Sequence, residues 1–236
     1  MRFRTATLVA CLFIGPVLCA QSSDESARIF EAHKHLAGYN RGGDSLRKKL
    51  ALSPDKSVKV YHYAPAEGRL DSAPGSSLKQ LFQIHICQAD AIVVGSVKTI
   101  KSLLSANESQ VFTDYQITPL TIIKGRDLTP GIEFYITQPG GTIDIDGGEI
   151  IDIGSEYPSP LFPRKTYLLF LKMVDSTKTF RPLDNLSTYL PDGSHIRTVT
   201  ESAERDSMNN FLLSLSPGSL STYLTRNMQS CGNYAQ

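Results

Sequence analysis

Apolar positions along this chain fall into two regimes. Up to residue 75 they recur at helical spacing among polar and charged residues, and from residue 76 they gather into strand-length runs separated by turn signals. In the first regime Ser22-Ser23-Asp24 offers an N-cap, and Ile29, Phe30, His33, Leu36 and Ala37 share one helical face until Gly38 and Gly42-Gly43 end it. Asp44-Ser45 caps a shorter helix running to Leu52, ahead of Pro54. The stretch VKVYHY then sits among prolines, glycines and serines, as a loop-rich leader or an added edge strand.

In the second regime Ser76-Ser77 caps a helix lined on one side by Leu78, Leu81, Phe82 and His85 or Ile86. Strands follow. Residues 91–100 are apolar and β-branched, with Gly95 marking a bend or a close backbone approach. Residues 111–123 (VFTDYQITPLTII) alternate imperfectly around Pro119. In 131–138 (GIEFYITQ), Ile132, Phe134 and Ile136 face one way and Glu133, Tyr135 and Thr137 the other. Residues 142–153 form a hairpin whose turn is supplied by Gly147-Gly148. Residues 166–174 (TYLLFLKMV) are almost wholly apolar, which suits a central strand covered on both faces. Short closing strands are expected at 179–183 and 194–198. A helix over 203–215, carrying Met208, Phe211, Leu212 and Leu215 on one stripe, should end at Pro217-Gly218.

Five or more consecutive strands without intervening helices argue for an antiparallel barrel or sandwich and against a parallel α/β fold. The chain is expected to be mainly β (α+β), with an N-terminal helical leader and a C-terminal helix; the resemblance given below narrows the sheet to an OB-like antiparallel β-barrel. The expected division is a signal peptide at 1–20, the leader at 21–75, the barrel domain with flanking helices at 76–216, and a C-terminal tail at 217–236.

Composition changes this picture at the N-terminus. Arg2 and Arg4 precede an apolar run from Ala6 to Leu18, and Leu18-Cys19-Ala20 ends on a small residue, as a secretory signal cleaved after Ala20 would. The run is short of the roughly 20 residues that span a bilayer, which argues against an uncleaved anchor. Pro16-Val17-Leu18 lacks the small residue that lipid modification of Cys19 would need. Losing Arg2 and Arg4 takes the 24 basic residues to 22, against 23 acidic ones. That balance argues against nucleic-acid binding and against an anionic membrane surface. A secreted or periplasmic location with no stable membrane insertion after cleavage is expected. Cleavage also removes Cys11 and Cys19, leaving Cys87 and Cys231, and an even pair in an exported chain is most simply a disulfide.

Candidate chemistry is sparse. His33-Lys34-His35 and His85-Ile86-Cys87 hint at metal pairs, but zinc needs three or four converging ligands, so these read as surface or helix-cap histidines. Asp144 and Asp146 give a weak cation site on one face of the hairpin; the calcium-loop spacing fails, and a solvated face is the plainer reading. No G-x-S-x-G, P-loop, H-E-x-x-H or dinucleotide fingerprint occurs. No catalytic residue, metal or cofactor is expected. The ligand surface is assigned to Tyr115, Tyr135 and the hairpin region at 139–160.

The order CQADAIVVGSV, then Ile122-Ile123-Lys124-Gly125, Pro139-Gly140-Gly141 and Pro163-Arg164-Lys165-Thr166-Tyr167-Leu168-Leu169-Phe170-Leu171, resembles the netrin-like domain of tissue inhibitors of metalloproteinases and of exported bacterial proteins. The resemblance covers about residues 78–215 and implies a five-stranded OB-type barrel. It does not carry over the inhibitors' chemistry. There the corresponding cysteine is the first residue of the mature protein and caps the protease zinc, whereas Cys87 is internal. The expected function is a non-catalytic binding or interaction module for a protein or small ligand. An exported hydrolase is the competing class, and a protease inhibitor is disfavoured.

Overall fold

The computed structural model describes residues 27–29, 31–36, 44–62, 78–154, 160–174, 177–184, 187–192, 195–198 and 217–231. The signal segment, Ser22 to Asp24, Phe30, Ala37, Ser76-Ser77 and the helix expected at 203–215 lie outside them. The protein is mainly β. Its helices are α1 (Leu46–Leu52), α2 (Leu78–Gln88) and α3 (Pro217–Met228), preceded by a leader segment helical at 27–29 and 31–34. Its strands are β1 (Ser57–His62), β2 (Ala91–Leu104), β3 (Val111–Lys124), β4 (Phe134–Pro139), β5 (Gly141–Ile145), β6 (Gly148–Gly154), β7 (Thr166–Val174), β8 (Thr179–Pro182), β9 (Thr188–Asp192) and β10 (His195–Thr198).

The larger sheet has the order β10-β9-β7-β2-β3-β4-β8, and β8 pairs back onto β7. Strands β7, β2, β3, β4 and β8 therefore form a closed ring of pairings. All neighbours in it are antiparallel except β4 and β8, which run parallel through Ile136 and Phe180. The interior of the ring is filled by Val93, Val97, Tyr115, Ile117, Ile136, Leu169, Leu171 and Phe180. Strand β7 shows why its sequence is apolar throughout. Tyr167, Leu169 and Leu171 point inward, while Leu168 and Phe170 point outward beneath α2 and α3 and meet Phe82, Ile86, Tyr189 and Leu224. Gly95 lies where β2 and β3 slip register, and a Cβ there would sit 2.6 Å from Ile117 Cγ2. Of the two readings from sequence, the slip supplies the bend, and the tightest neighbour is a side chain rather than a backbone.

A second sheet, β1-β6-β5, carries the hairpin. Ser57–His62, which holds most of the VKVYHY stretch, forms the added strand, parallel to β6. Val58, Val60, Ile143 and Ile145 pack with Leu46 and Leu50 of α1, which Ser45 caps by accepting the Lys48 amide. Two expectations need correction here. The hairpin turns at Asp146-Gly147, with φ of 51° and 75°, and Gly148 is already paired opposite Ile145. A tight hairpin needs positive φ at both central residues, and aspartate tolerates it well enough for Asp-Gly to serve. Residues 217–228, expected as part of a tail, form α3. Pro217-Gly218 opens a helix rather than only ending one, because proline lacks only an amide that the first helical turn leaves unpaired. Strand β9 had no counterpart among the expected strands, and Ile132, expected to share a strand face with Phe134 and Ile136, precedes β4 and is 63% exposed.

Candidate functional site

Cys87 and Cys231 are disulfide-bonded with their α-carbons 5.2 Å apart, joining the end of α2 to the turn after α3. Gln83 Nε2 sits within 3.3 Å of the Cys87 sulfur and donates to Asn227 O at 2.9 Å, tying the two helices on the same side. The last carbonyls of α2 are capped as well. Lys124 Nζ donates to Ile86 O and Cys87 O, both at 3.1 Å, and Lys172 Nζ donates to Asp90 Oδ1 at 2.8 Å. Burial pushes the Lys124 ammonium below its ordinary value, with Asp90 opposing the shift. Both the sulfur and the carbonyl of Cys87 are therefore committed to the fold.

The two histidine motifs divide: His35 is exposed, as read, beside Glu31 at 3.7 Å, whereas the other two histidines are not surface groups. His33 and His85 are each fully buried. His33 Nε2 lies 2.9 Å from Asp114 Oδ1, and its ring stacks on Phe112 at 4.4 Å. His85 Nε2 lies 2.7 Å from Asp184 Oδ2 and its Nδ1 lies 3.2 Å from the Tyr189 hydroxyl. Each imidazole fixes a helix to the large sheet. In the sequence both rings fall on apolar helical faces, which is the available signal of burial. Their carboxylate partners, 81 and 99 positions away, carried none.

The ligand-surface pair divides. Tyr115 is 1% exposed and stands inside the ring, where its oxygen accepts from Gln138 Nε2 at 3.0 Å. Burial pushes its hydroxyl well above the ordinary range, and a hydrogen bond with the Leu161 backbone acts against that. The error follows from β3 being covered on both faces over residues 111–115, which erases the alternation that would have assigned Tyr115 inward. Tyr135, on the outer face of β4, is half-buried and lines a cleft of about 620 Å³. Leader residues Arg28 and Ile29 form one wall. Asp127, Leu128, Ile132 and Glu133, before β4, form another, and Lys178 and Phe180 around the β7–β8 turn form the third. Glu133 is already engaged by Lys98 Nζ and Gln116 Nε2, each at 2.6 Å. The cleft thus offers an apolar floor under a rim of both charge signs.

Asp144 and Asp146 border a shallow depression with Asp55 and Glu149. Arg47 pairs with Asp146, and also with Glu108 at 2.9 Å. Among the described residues no three His, Cys, Asp or Glu side chains converge as metal ligands would.

Together these features define a mainly β protein with one interhelical disulfide and a cleft on the outer side of its large sheet. No family model matches the chain, and no curated protein matches it significantly.

Proposed function

We propose that this chain is an exported OB-like barrel acting as a non-catalytic binding module, with its ligand site in the Tyr135 cleft. The observation carrying the reading is the division of labour among its side chains. Four of the groups that suggested catalysis or metal binding, His33, His85, Cys87 and Cys231, are each held by a structural partner, while the open concave surface is lined by mixed apolar and charged groups suited to recognition. Closed five-strand pairing supports the OB-like architecture, in which the second and third strands commonly carry the ligand face. Here those strands are β3 and β4. The disulfide fits an oxidising compartment and so agrees with the signal read from sequence. A netrin-like relationship is proposed on the same grounds, without metalloproteinase inhibition, because the Cys87 carbonyl that a zinc would need accepts Lys124.

The test is a screen of fragments and short peptides followed by amide spectra of the protein. Binders should shift residues 127–135 and 178–180, and Tyr135→Ala should weaken them at least tenfold. Hydrolysis of ester, phosphate or glycoside substrates that is lost in a folded His85→Gln variant would overturn the reading in favour of the hydrolase class.

A further inference from the structure

The outer face of β3 and β4 is already occupied, and its occupant fits imperfectly. The leader segment lies across it. Ala32 and Leu36 pack with Phe112 and Val174, and His33 reaches Asp114. Asp114 and Thr137 are partners across β3 and β4, so their side chains emerge together under this segment. Asp114 is 3% exposed and Thr137 fully buried, yet Asp114 Oδ2 and Thr137 Oγ1 have no hydrogen-bond partner among the described residues. A buried carboxylate oxygen left unpaired is a standing penalty that a better ligand can relieve. His33 Nε2 supplies one donor to Asp114 Oδ1; a guanidinium offers a planar fork that engages both oxygens of a carboxylate.

We infer that the leader segment at 27–36 is a displaceable internal ligand, and that the β3–β4 face beneath it takes an amphipathic helix from a partner protein. That helix carries an arginine where His33 sits, a small residue just before it and an aliphatic residue three positions on. The geometry of the internal complex is the template: Ala32, His33 and Leu36 fall at helical spacing against a sheet face with one acidic anchor. The segment covers the face until a helix with the stronger donor displaces it. One wall of the Tyr135 cleft moves with it, since Arg28 and Ile29 belong to the same segment.

The experiment uses the full mature chain and two fluorescent peptides spanning residues 24–38, one native and one with His33→Arg. In a His33→Ala chain, whose own segment is weakened, the arginine peptide should bind saturably and at least tenfold tighter than the native peptide. Adding Asp114→Asn to that chain should abolish the difference. The wild-type chain should bind the arginine peptide at least fivefold more weakly than the His33→Ala chain, because the tethered segment competes. Absence of saturable binding to a folded His33→Ala chain, or an arginine preference that survives Asp114→Asn, overturns the inference. Should His33→Ala fail to fold, hydrogen exchange on the wild-type chain decides. Excess arginine peptide must speed exchange of the His35 and Leu36 amides, which bond to Ala32 O and His33 O, and unchanged exchange refutes displacement. The helix partner rests on the binding-module reading, but the two fail apart. Fragment shifts at the cleft without peptide binding sink the helix alone, and hydrolysis at His85 sinks the module reading.

Discussion

Replacing Cys87 and Cys231 together by serine removes a link between positions 144 residues apart. In the chain-entropy model the stabilisation lost at that separation is about 5 kcal/mol, most of it through the unfolded ensemble. The folded state retains much of what holds α3 in place, since Leu220 and Leu224 bury against Phe82 and Phe170. At a urea slope of about 2.5 kcal/mol/M, the denaturation midpoint should fall by about 2 M. The slope itself should rise, because an uncrosslinked unfolded chain exposes more surface. The single variants Cys87→Ser and Cys231→Ser should each lose nearly what the double variant loses, as either one cuts the same bond. The assay is equilibrium urea denaturation by far-UV circular dichroism, preceded by a thiol count on the denatured, non-reduced protein. A midpoint shift below about 0.4 M, corresponding to roughly 1 kcal/mol at that slope, would refute the assignment of a stabilising staple. Two free thiols in the wild-type chain would refute the staple itself.

Three further outcomes can be checked. Burial raises the hydroxyls of Tyr115 and Tyr189 above their ordinary value, and to a lesser extent that of Tyr167, so ultraviolet titration should show at least the first two ionising only as the protein unfolds in alkali. Groups raised in the folded state contribute their full stability below the unfolded value near pH 10, and that contribution falls as pH rises beyond it, so the urea midpoint should drop above pH 10. Ser45→Ala removes the α1 N-cap and should cost about 1 kcal/mol in urea denaturation. The same change should move the Glu108 carboxyl back up toward its usual range in a carbon-detected titration, since hydrogen bonding from Ser45, then from Arg47, holds it down. Gly95→Ala forces a methyl against Ile117 Cγ2 at 2.6 Å and should destabilise by about 1–3 kcal/mol in urea denaturation.

Strands were legible wherever one physical rule dominated. The apolar run 166–174 became β7 because it is covered on both faces, and the sequence 142–153 became a hairpin because β-branched residues flank a turn that accepts positive φ. Ser45 and Leu52 bounded α1 as read, since capping is a local property. Legibility failed where a residue's environment is set by a distant partner. Tyr115 is inward only because the ring closes through β4 and β8, a pairing with no local signature. His33 and His85 sit on apolar helical faces in sequence, but an imidazole there is compatible with a cap, a surface position or a buried ion pair until Asp114 and Asp184 arrive across the fold.

The same distinction decides what the resemblance at CQADAIVVGSV can carry. A string of strand and turn signals reports local geometry, so it bears on architecture and not on chemistry. Zinc capping depends on an α-amine and a free carbonyl at one cysteine, and those depend on where the chain is cut and what stands opposite. In this fold the Cys87 carbonyl accepts Lys124 from β3, and its sulfur is bonded to Cys231 beyond α3. Cutting the chain just before Cys87 would free the amine and leave both of those contacts in place. The Lys124 ammonium would still stand against that carbonyl, where it opposes a second cation. Chemistry at this corner is therefore closed by partners 37 and 144 positions away, while the Tyr135 cleft on the outer side of β4 stays open for recognition.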